Sequence, residues 1–218
     1  MSSHAPLRSC VVAANDYRRV RWRNDAGWTR EIVAVGADAV EATHGGAGDD
    51  WHWRLSIAEI ERDGPFSRFD GVDRELVLLR GAGVRLRFAD GRVLDALPPH
   101  GRVRFSGEDA VDGELVDGTT HDFNLMWRRD RVAATLWHRP LVGPVLVFVD
   151  PGSTWAVHLL AGHAHFGRGS VLPPLAMGDT ALLRADDGRR TRHLLEGAGE
   201  ALLVRIDPVP VAGGGDAQ

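Results

Sequence analysis

The sequence has no lysine and a single cysteine, and each shortage excludes a class of chemistry. All 26 basic residues are arginines, which excludes a lysine Schiff base and a lysine acid–base group. Cys10 has no second cysteine, so an internal disulfide and a cysteine-based zinc cluster within one chain are excluded. The net charge of -4 offers no electrostatic footprint for nucleic acid.

Long apolar runs and targeting signals are missing as well. No hydrophobic stretch, including residues 141–149, approaches the length that spans a bilayer. Residues 1–6 lack the basic and apolar regions of a signal peptide. We therefore expect a cytoplasmic protein that has no membrane partner and no nucleic-acid partner. The sequence leaves a homodimer open.

Short strand signals separated by turn signals dominate what is present. Residues 84–88 alternate apolar and polar side chains, turn at Asp90-Gly91 and continue into residues 92–94, which predicts a hairpin. Helical patterns are scarce, and we expect only short turns near residues 16–18 and 122–126. Many short strands at this spacing predict an all-β sandwich or barrel.

The two halves of the chain carry similar signals. Residues 84–94 and 182–195 are candidates for matching hairpins, and residues 175–183 resemble the Gly-Asp corner and strand of cupin barrels. We predict one compact unit over residues 1–211, built as two cupin-like lobes at about 10–130 and 131–207. Two segments should lie outside the regular structure: a flexible loop at 45–50 and a disordered tail at 212–218.

Three stretches interleave large apolar residues with polar ones, namely residues 22–31, 53–74 and 122–129. A strand points alternate side chains to opposite faces, so one face can pack while the other carries polar groups. Polar groups that face inward are costly unless they have partners. Their recurrence favours a ligand cavity over a plain core.

The same stretches resemble the HutD/Ves family, small cupin-like proteins many of which are associated with bacterial histidine utilisation. The matching residues come in the family's order, and they are 22–32, 53–58, 63–67, Phe69, Gly71, Asp73-Arg74, 105–107, Asp117-Gly118, 122–126 and Arg128-Arg129. The chain departs from the pattern at Asp25, where the family usually has glycine. Asp is among the residues that best tolerate the positive φ that such a glycine adopts. The resemblance implies a cupin-like (RmlC-like jelly-roll) fold in a two-lobed, bicupin arrangement.

Thr29 and Glu31 are two residues apart and therefore share a strand face, and Asn24 in the preceding turn could close over the same space. Spacing alone fits a plainer interpretation, in which Asn24 and Thr29 cap the turn and Glu31 pairs with an arginine at the surface. The family resemblance favours a pocket.

Arg54 and Ser56 share one face of the next strand, and an arginine beside a hydroxyl group is suited to holding a carboxylate. A structural ion pair between Arg54 and Glu31 fits the spacing equally well. Arg74 is a further site candidate, beyond a rim or lid that contains Phe66 and Phe69.

Asp122 and Asn124 fall on one face of a third strand. Asp122 is a candidate to orient Arg54 or Arg74, or alternatively to cap a turn. Asn124 is suited to hydrogen-bonding an amide or formyl group.

A cupin-type metal site requires a His-x-His pair with an acidic residue shortly after it. His163 and His165 supply the pair, but the next acidic residue is Asp179. We expect both histidines to be exposed, and we expect no metal ion or other cofactor in the cavity.

These observations favour binding over turnover. The resemblance implies regulation or buffering of histidine utilisation through a small acidic metabolite, similar to N-formylglutamate or urocanate, in a metal-free cavity. The predicted ligand-binding residues are Asn24, Thr29, Glu31, Arg54, Ser56, Arg74, Asp122 and Asn124. The alternative is a cupin-type enzyme acting on a small carboxylate, either by acid–base chemistry at Glu31 and Asp122 or by a metal-dependent oxygenase reaction at His163 and His165.

Overall fold

The fold is taken from a computed structural model that describes residues 8–22, 24–36, 51–185 and 188–210. The predicted loop at 45–50 and the predicted tail at 212–218 lie outside the described residues. Within those ranges the chain forms strands and one 3₁₀ turn, Ala14–Asp16, with no α-helix. The all-β prediction is confirmed for the part of the chain that the structure describes.

The strands range in length from 2 residues in β5 to 18 residues in β16. In chain order they are β1 Cys10–Val12, β2 Arg18–Arg21, β3 Gly27–Gly36, β4 Trp51–Ile60, β5 Gly64–Pro65, β6 Val72–Arg80, β7 Val84–Phe88, β8 Val93–Ala96, β9 Arg102–Ser106, β10 Val111–Leu115, β11 Thr120–Arg128, β12 Val132–Val142, β13 Val145–Val149, β14 Thr154–Phe166, β15 Thr180–Arg184 and β16 Thr191–Pro208.

The strands form three antiparallel sheets. The central sheet has the order β2-β3-β4-β11-β6-β9, and the small sheet has the order β5-β10-β7-β8. The C-terminal sheet has the order β1-β15-β14-β16-β12, with β13 also pairing with β16. Strands before and after residue 130 therefore fall in different sheets, except for β1, which pairs with β15. The boundaries of the two lobes stay a prediction.

The central sheet contributes to two hydrophobic cores because its side chains alternate. Leu55 and Leu125 belong to a core that includes Leu136 and Val204 of the C-terminal sheet. Ala58 and other residues of the opposite face belong to a second core with the small sheet. Polar side chains interrupt this second face, and they define the site described below.

Three local predictions are wrong. The short helical turn predicted near residues 122–126 is absent, and the strand that the pattern also predicts at 123–126 is present, because β11 is hydrogen-bonded to β4 on one side and to β6 on the other. Residues 182–195 are not a hairpin, since β14 lies between β15 and β16. The strand signals at residues 191–195 and 201–206 predict two separate strands, but the segment forms the single strand β16. Its glycines pass close to β14: a Cβ at Gly199 would lie 1.9 Å from the carbonyl oxygen of Ala161.

Candidate functional site

A cavity of about 590 Å³ opens on the face of the central sheet that is turned towards the small sheet. Six of the eight predicted site residues line it, and Glu31 and Asp122 do not. The lining consists of Arg21, Trp22, Asn24, Thr29, Arg54, Ser56, Ala58, Pro65, Phe66, Ser67, Arg68, Phe69, Arg74, Asn124 and Met126.

Strand register places the polar groups on this one face. Met126 of β11 pairs with Arg54 of β4 on one side and with Arg74 of β6 on the other. Adjacent strands are about 4.8 Å apart, so the two arginine backbones flank Met126 at a separation of about 10 Å. Two residues along β11, Asn124 pairs with Ser56. The alternation of side chains thus sets two guanidinium groups and an amide around one space.

Arg74 is a buried arginine without an acidic partner among the described residues. Its side chain is 6% exposed, and its Nη1 donates to the carbonyl oxygen of Ser67 at 3.2 Å. Its buried Nε has no hydrogen-bond partner. Burial, and secondarily the charge of Arg54, lowers the pKa of the Arg74 guanidinium to about 10. Such a cation is poorly compensated by the protein and is available to an anion.

Aromatic rings surround the Arg74 guanidinium. Its carbon atom lies 5.1 Å from the ring centroids of Phe66 and Phe105 and 5.8 Å from that of Phe69. These distances are in the range of cation–π attraction, which supplies part of the stabilisation that a carboxylate would give. Phe66 and Phe69 therefore line the cavity, where the sequence predicted a rim or lid.

Arg54 forms the ion pair that the sequence left open. Its Nε lies 3.0 Å from Glu31 Oε2, and both side chains are largely buried. This buried nitrogen has no hydrogen-bond partner, so its N–H does not point at the Glu31 carboxylate. Arg54 lines the cavity and Glu31 does not, so the ion pair leaves the ligand interpretation of Arg54 open as a prediction.

Asn124 and Ser56 form a polar pair at the cavity wall. Asn124 Nδ2 donates to Ser56 Oγ at 3.4 Å, and Asn124 Oδ1 is buried without a partner. An unpaired buried amide oxygen is costly, and a ligand N–H or O–H would satisfy it.

The turn before β3 closes one end of the cavity. Asn24 Oδ1 accepts the N–H of Ala26 at 3.1 Å, and Thr29 Oγ1 accepts the indole N–H of Trp22 at 2.8 Å. Both residues therefore have the structural role of the plainer interpretation while also lining the cavity. Asp25 has φ 55°, which confirms that the aspartate occupies a left-handed position.

Asp122 lies on the same sheet face but does not line the cavity. Its Oδ2 accepts a hydrogen bond from Thr120 Oγ1 at 2.7 Å, and its buried Oδ1 has no partner. Its hydrogen bond is thus to a hydroxyl group rather than to the predicted arginines. Burial raises the pKa of the Asp122 carboxyl to about 7.

Sequence reasoning passed over several cavity residues, including Arg21, Trp22, Ala58 and Met126. Strand spacing could have identified two of them. Met126 is two residues beyond Asn124 on one strand, and Ala58 is two beyond Ser56, so each shares a face with a predicted residue. Arg21 and Trp22 precede the turn of Asn24, but their long side chains fold back over the cavity only in three dimensions.

A larger cavity of about 910 Å³ lies in the C-terminal part of the chain. The arginines that line it, Arg8, Arg168 and Arg192, are exposed. His163 and His165 on β14 are exposed too, and His165 Nε2 is 3.7 Å from Glu196 Oε2. Solvated arginines require no anion for compensation. The smaller cavity, with its desolvated and unpaired groups, is the better candidate site.

Comparisons with known proteins agree with the fold and with the motifs. The HutD family model matches residues 14–203. A protein called Ves from Citrobacter koseri is 33% identical over 196 residues, which cover 87% of this chain and 89% of that protein. An uncharacterised 21.2 kDa protein in the hutC 3' region of Pseudomonas putida is 38% identical over 126 residues, which cover 58% of this chain and 62% of that protein.

Solved structures extend the likeness. HutD from Pseudomonas fluorescens SBW25 has a TM-score of 0.75 and 27% identity, and the match covers 93% of this chain and all of that one. The bacterial pirin YhhW from Escherichia coli has a TM-score of 0.62 at 10% identity, over 93% of this chain and 100% of that one. The second likeness shows the fold alone. With the antiparallel sheets, these matches confirm the predicted all-β, cupin-like fold.

Proposed function

The chain belongs to the HutD family, and we propose that it is a cytoplasmic protein that tempers histidine utilisation by binding an acidic metabolite of that pathway. The ligand would be a small carboxylate similar to N-formylglutamate or urocanate. It would bind in the cavity of the central sheet without a metal ion. The family's association with histidine utilisation supports the pathway, and the cavity supports the chemical class of the ligand.

One observation carries the proposal: Arg74 is buried in the cavity wall without an acidic partner among the described residues. An uncompensated buried charge costs several kcal/mol, and a carboxylate in charge-assisted contact would offset that cost. The Arg54 guanidinium adds a second positive charge on the same face, and its repulsion of Arg74 would also fall when an anion binds. A dicarboxylate matches two arginines better than a neutral ligand does.

The remaining polar groups of the cavity suggest how the amide or formyl end of the ligand is recognised. Asn124 Oδ1 is an unpaired acceptor, suited to a ligand N–H, and Ser56 lies beside it. Asn24 and Thr29 also line the cavity, and hydrogen bonds from Ala26 N–H and from the Trp22 indole fix their oxygens. In this arrangement the arginines hold carboxylates, and the amide and hydroxyl groups contact the amide or formyl end.

Titration calorimetry of the full chain with N-formylglutamate and with urocanate tests the proposal. We expect Arg54→Ala to weaken binding at least a hundredfold, because a charge-assisted contact is lost and Glu31 is left unpaired. Arg92→Ala is the matched control, since Arg92 is exposed, pairs with Asp90 and lies outside the cavity. The dimethyl ester of N-formylglutamate should not bind. Unchanged affinity in the Arg54 variant would show that this assignment is wrong.

A second candidate function rests on Asp122. A carboxyl group with a pKa of about 7 is suited to moving a proton at neutral pH, as in an acid–base isomerase or hydrolase acting on a small carboxylate. Because Asp122 is buried and does not line the cavity, this candidate requires the substrate to reach beyond the cavity lining. Glu31, its expected partner in that mechanism, is instead paired with Arg54. Turnover of pathway intermediates by the wild type, lost in Asp122→Asn, would favour this candidate over simple binding.

A further inference from the structure

Two histidines and a glutamate meet outside the cavity, at a place where the N-terminal and C-terminal parts of the chain touch. They are His100 in the turn between β8 and β9, His138 on β12, and Glu200 on β16. Their ligand atoms all lie within 4.8 Å of one another. None of the three lines the cavity of the proposed function.

The separations resemble those in a metal centre. His138 Nε2 is 2.9 Å from Glu200 Oε2, and His100 Nε2 is 3.5 Å from the same oxygen. Two ligand atoms on a tetrahedral zinc ion, each about 2.0–2.1 Å from the metal, are about 3.3 Å apart. Only small side-chain movements would therefore be needed to admit an ion.

The orientation of His100 adds a second, independent indication. Its Nδ1 is 2.9 Å from the carbonyl oxygen of Leu78. A carbonyl oxygen only accepts, so Nδ1 carries a hydrogen and Nε2 is the ring nitrogen left to bind a metal ion. This Nε2 lies 3.5 Å from Glu200 Oε2. Histidine ligands of metals commonly donate their other N–H to a backbone carbonyl in this way.

The backbone holds His100 in position at some cost. His100 has φ 51°, a conformation that few non-glycine residues adopt and that histidine tolerates better than most. The turn is closed by hydrogen bonds from Gly101 N to Leu97 O and from Leu78 N to Gly101 O. Strained residues that the surroundings hold in place are concentrated at functional sites.

The other two ligands come from neighbouring strands. β12 and β16 pair with His138 opposite Leu202 and Pro140 opposite Glu200, so His138 and Glu200 are diagonal neighbours on one sheet face. Their side chains are 39% and 46% exposed, and that of His100 is 21% exposed. An ion could therefore enter from solvent and keep a water molecule as its fourth ligand.

We propose that His100, His138 and Glu200 bind one divalent transition-metal ion, zinc being the best match to two imidazoles and a carboxylate. The ion would join the N-terminal and C-terminal parts of the chain. The Irving–Williams order predicts that Co²⁺ and Ni²⁺ bind the same site, and Mg²⁺, which prefers oxygen ligands, should not bind. This site is independent of the proposed metabolite cavity.

The test is titration calorimetry of chelator-treated full-length protein with zinc chloride and, in parallel, with magnesium chloride. We expect one zinc ion per chain, no binding of magnesium, and a dissociation constant raised at least tenfold in His138→Ala and Glu200→Gln. His100→Asn is a conservative third variant, because asparagine also tolerates the positive φ and should leave the turn intact.

His165→Ala is the matched control, since His165 is an exposed histidine beside a glutamate, with no third ligand in the described structure. It should bind zinc like the wild type, and Co²⁺-loaded wild type should show the visible absorption of a tetrahedral site that Glu200→Gln lacks. The proposal is overturned by the absence of stoichiometric zinc binding, by equal binding of magnesium, or by site variants that bind zinc as tightly as the control does.

Discussion

Replacing Arg74 by methionine separates a ligand-binding arginine from a structural one. The pKa of the folded-state guanidinium is about 10. Against an ordinary value of about 12.5, this corresponds to about 3 kcal/mol of lost folding stability. A basic group whose pKa is lowered by folding destabilises the fold at every pH below the folded value, so the whole cost is present at pH 7.5. Methionine fills a similar volume and removes that cost.

Two favourable contacts are lost in the same substitution. The hydrogen bond to the carbonyl oxygen of Ser67 contributes about 1 kcal/mol, and cation–π attraction to the surrounding rings contributes about another 1 kcal/mol. We therefore expect Arg74→Met to raise the free energy of unfolding of the ligand-free protein by about 1 kcal/mol, which is roughly 2–4 °C in Tm for a chain of this length. The same variant should lose all measurable affinity for the acidic ligand.

Urea unfolding at pH 7.5 measures the change in the free energy of unfolding, provided that the slope m is the same in the variant and the wild type. Arg104→Met is the matched control, because Arg104 also lies over an aromatic ring, at 4.7 Å from the Trp127 centroid, but is exposed and paired with Asp73. Its stability should change by less than about 0.5 kcal/mol. A loss of about 2 kcal/mol or more in Arg74→Met would refute the reasoning, since it would mean that the protein already compensates the charge.

Three further outcomes follow from individual side chains. Because folding raises the pKa of Asp122 to about 7, wild-type stability should fall as pH rises from about 4 to 8, by up to about 4 kcal/mol, and Asp122→Asn should abolish that slope in urea titrations at several pH values. Asp25→Gly should change stability by less than about 1 kcal/mol, because both residues accept φ 55°, while loss of the Arg21 contact should alter ligand selectivity in calorimetry. Burial raises the pKa of the Cys10 thiol, so its reaction with a thiol reagent at pH 7.5 should be slower than that of free cysteine, and an equal rate would contradict this.

Local patterns predicted most of the strands because each signal lies within a few residues. The hairpin at β7 and β8 needs only alternation and an Asp-Gly turn, and it is present. The segment 122–126 fits both a strand and a helical turn that Asp122 would cap, and two flanking strands decide for the strand by supplying its hydrogen bonds. Such long-range pairing leaves no mark on the local sequence.

The candidate site, too, was predictable only where local sequence was enough. Residue spacing could show which side chains share one face of a strand, and Arg54, Ser56 and Asn124 do line one cavity. Spacing could not decide whether Glu31 and Arg54 meet, because β3 has a register shift between Glu31 and Val33. It also could not identify the cluster at His100, since its three residues come from distant parts of the chain.

The core beneath the cavity explains how two like charges can be held on one face. Leu55 and Leu125 alternate with Arg54 and Met126 and are fully buried against the C-terminal sheet. A slip of one residue would send Arg54 into that core and the leucines into the cavity, so the apolar face fixes the register of the polar one. The electrostatic repulsion between the two arginines is then overcome when the protein folds, and not when a ligand binds. In the proposed function, a ligand that meets such a preorganised pair would lose less of its binding energy to ordering the site, which would favour an acidic metabolite.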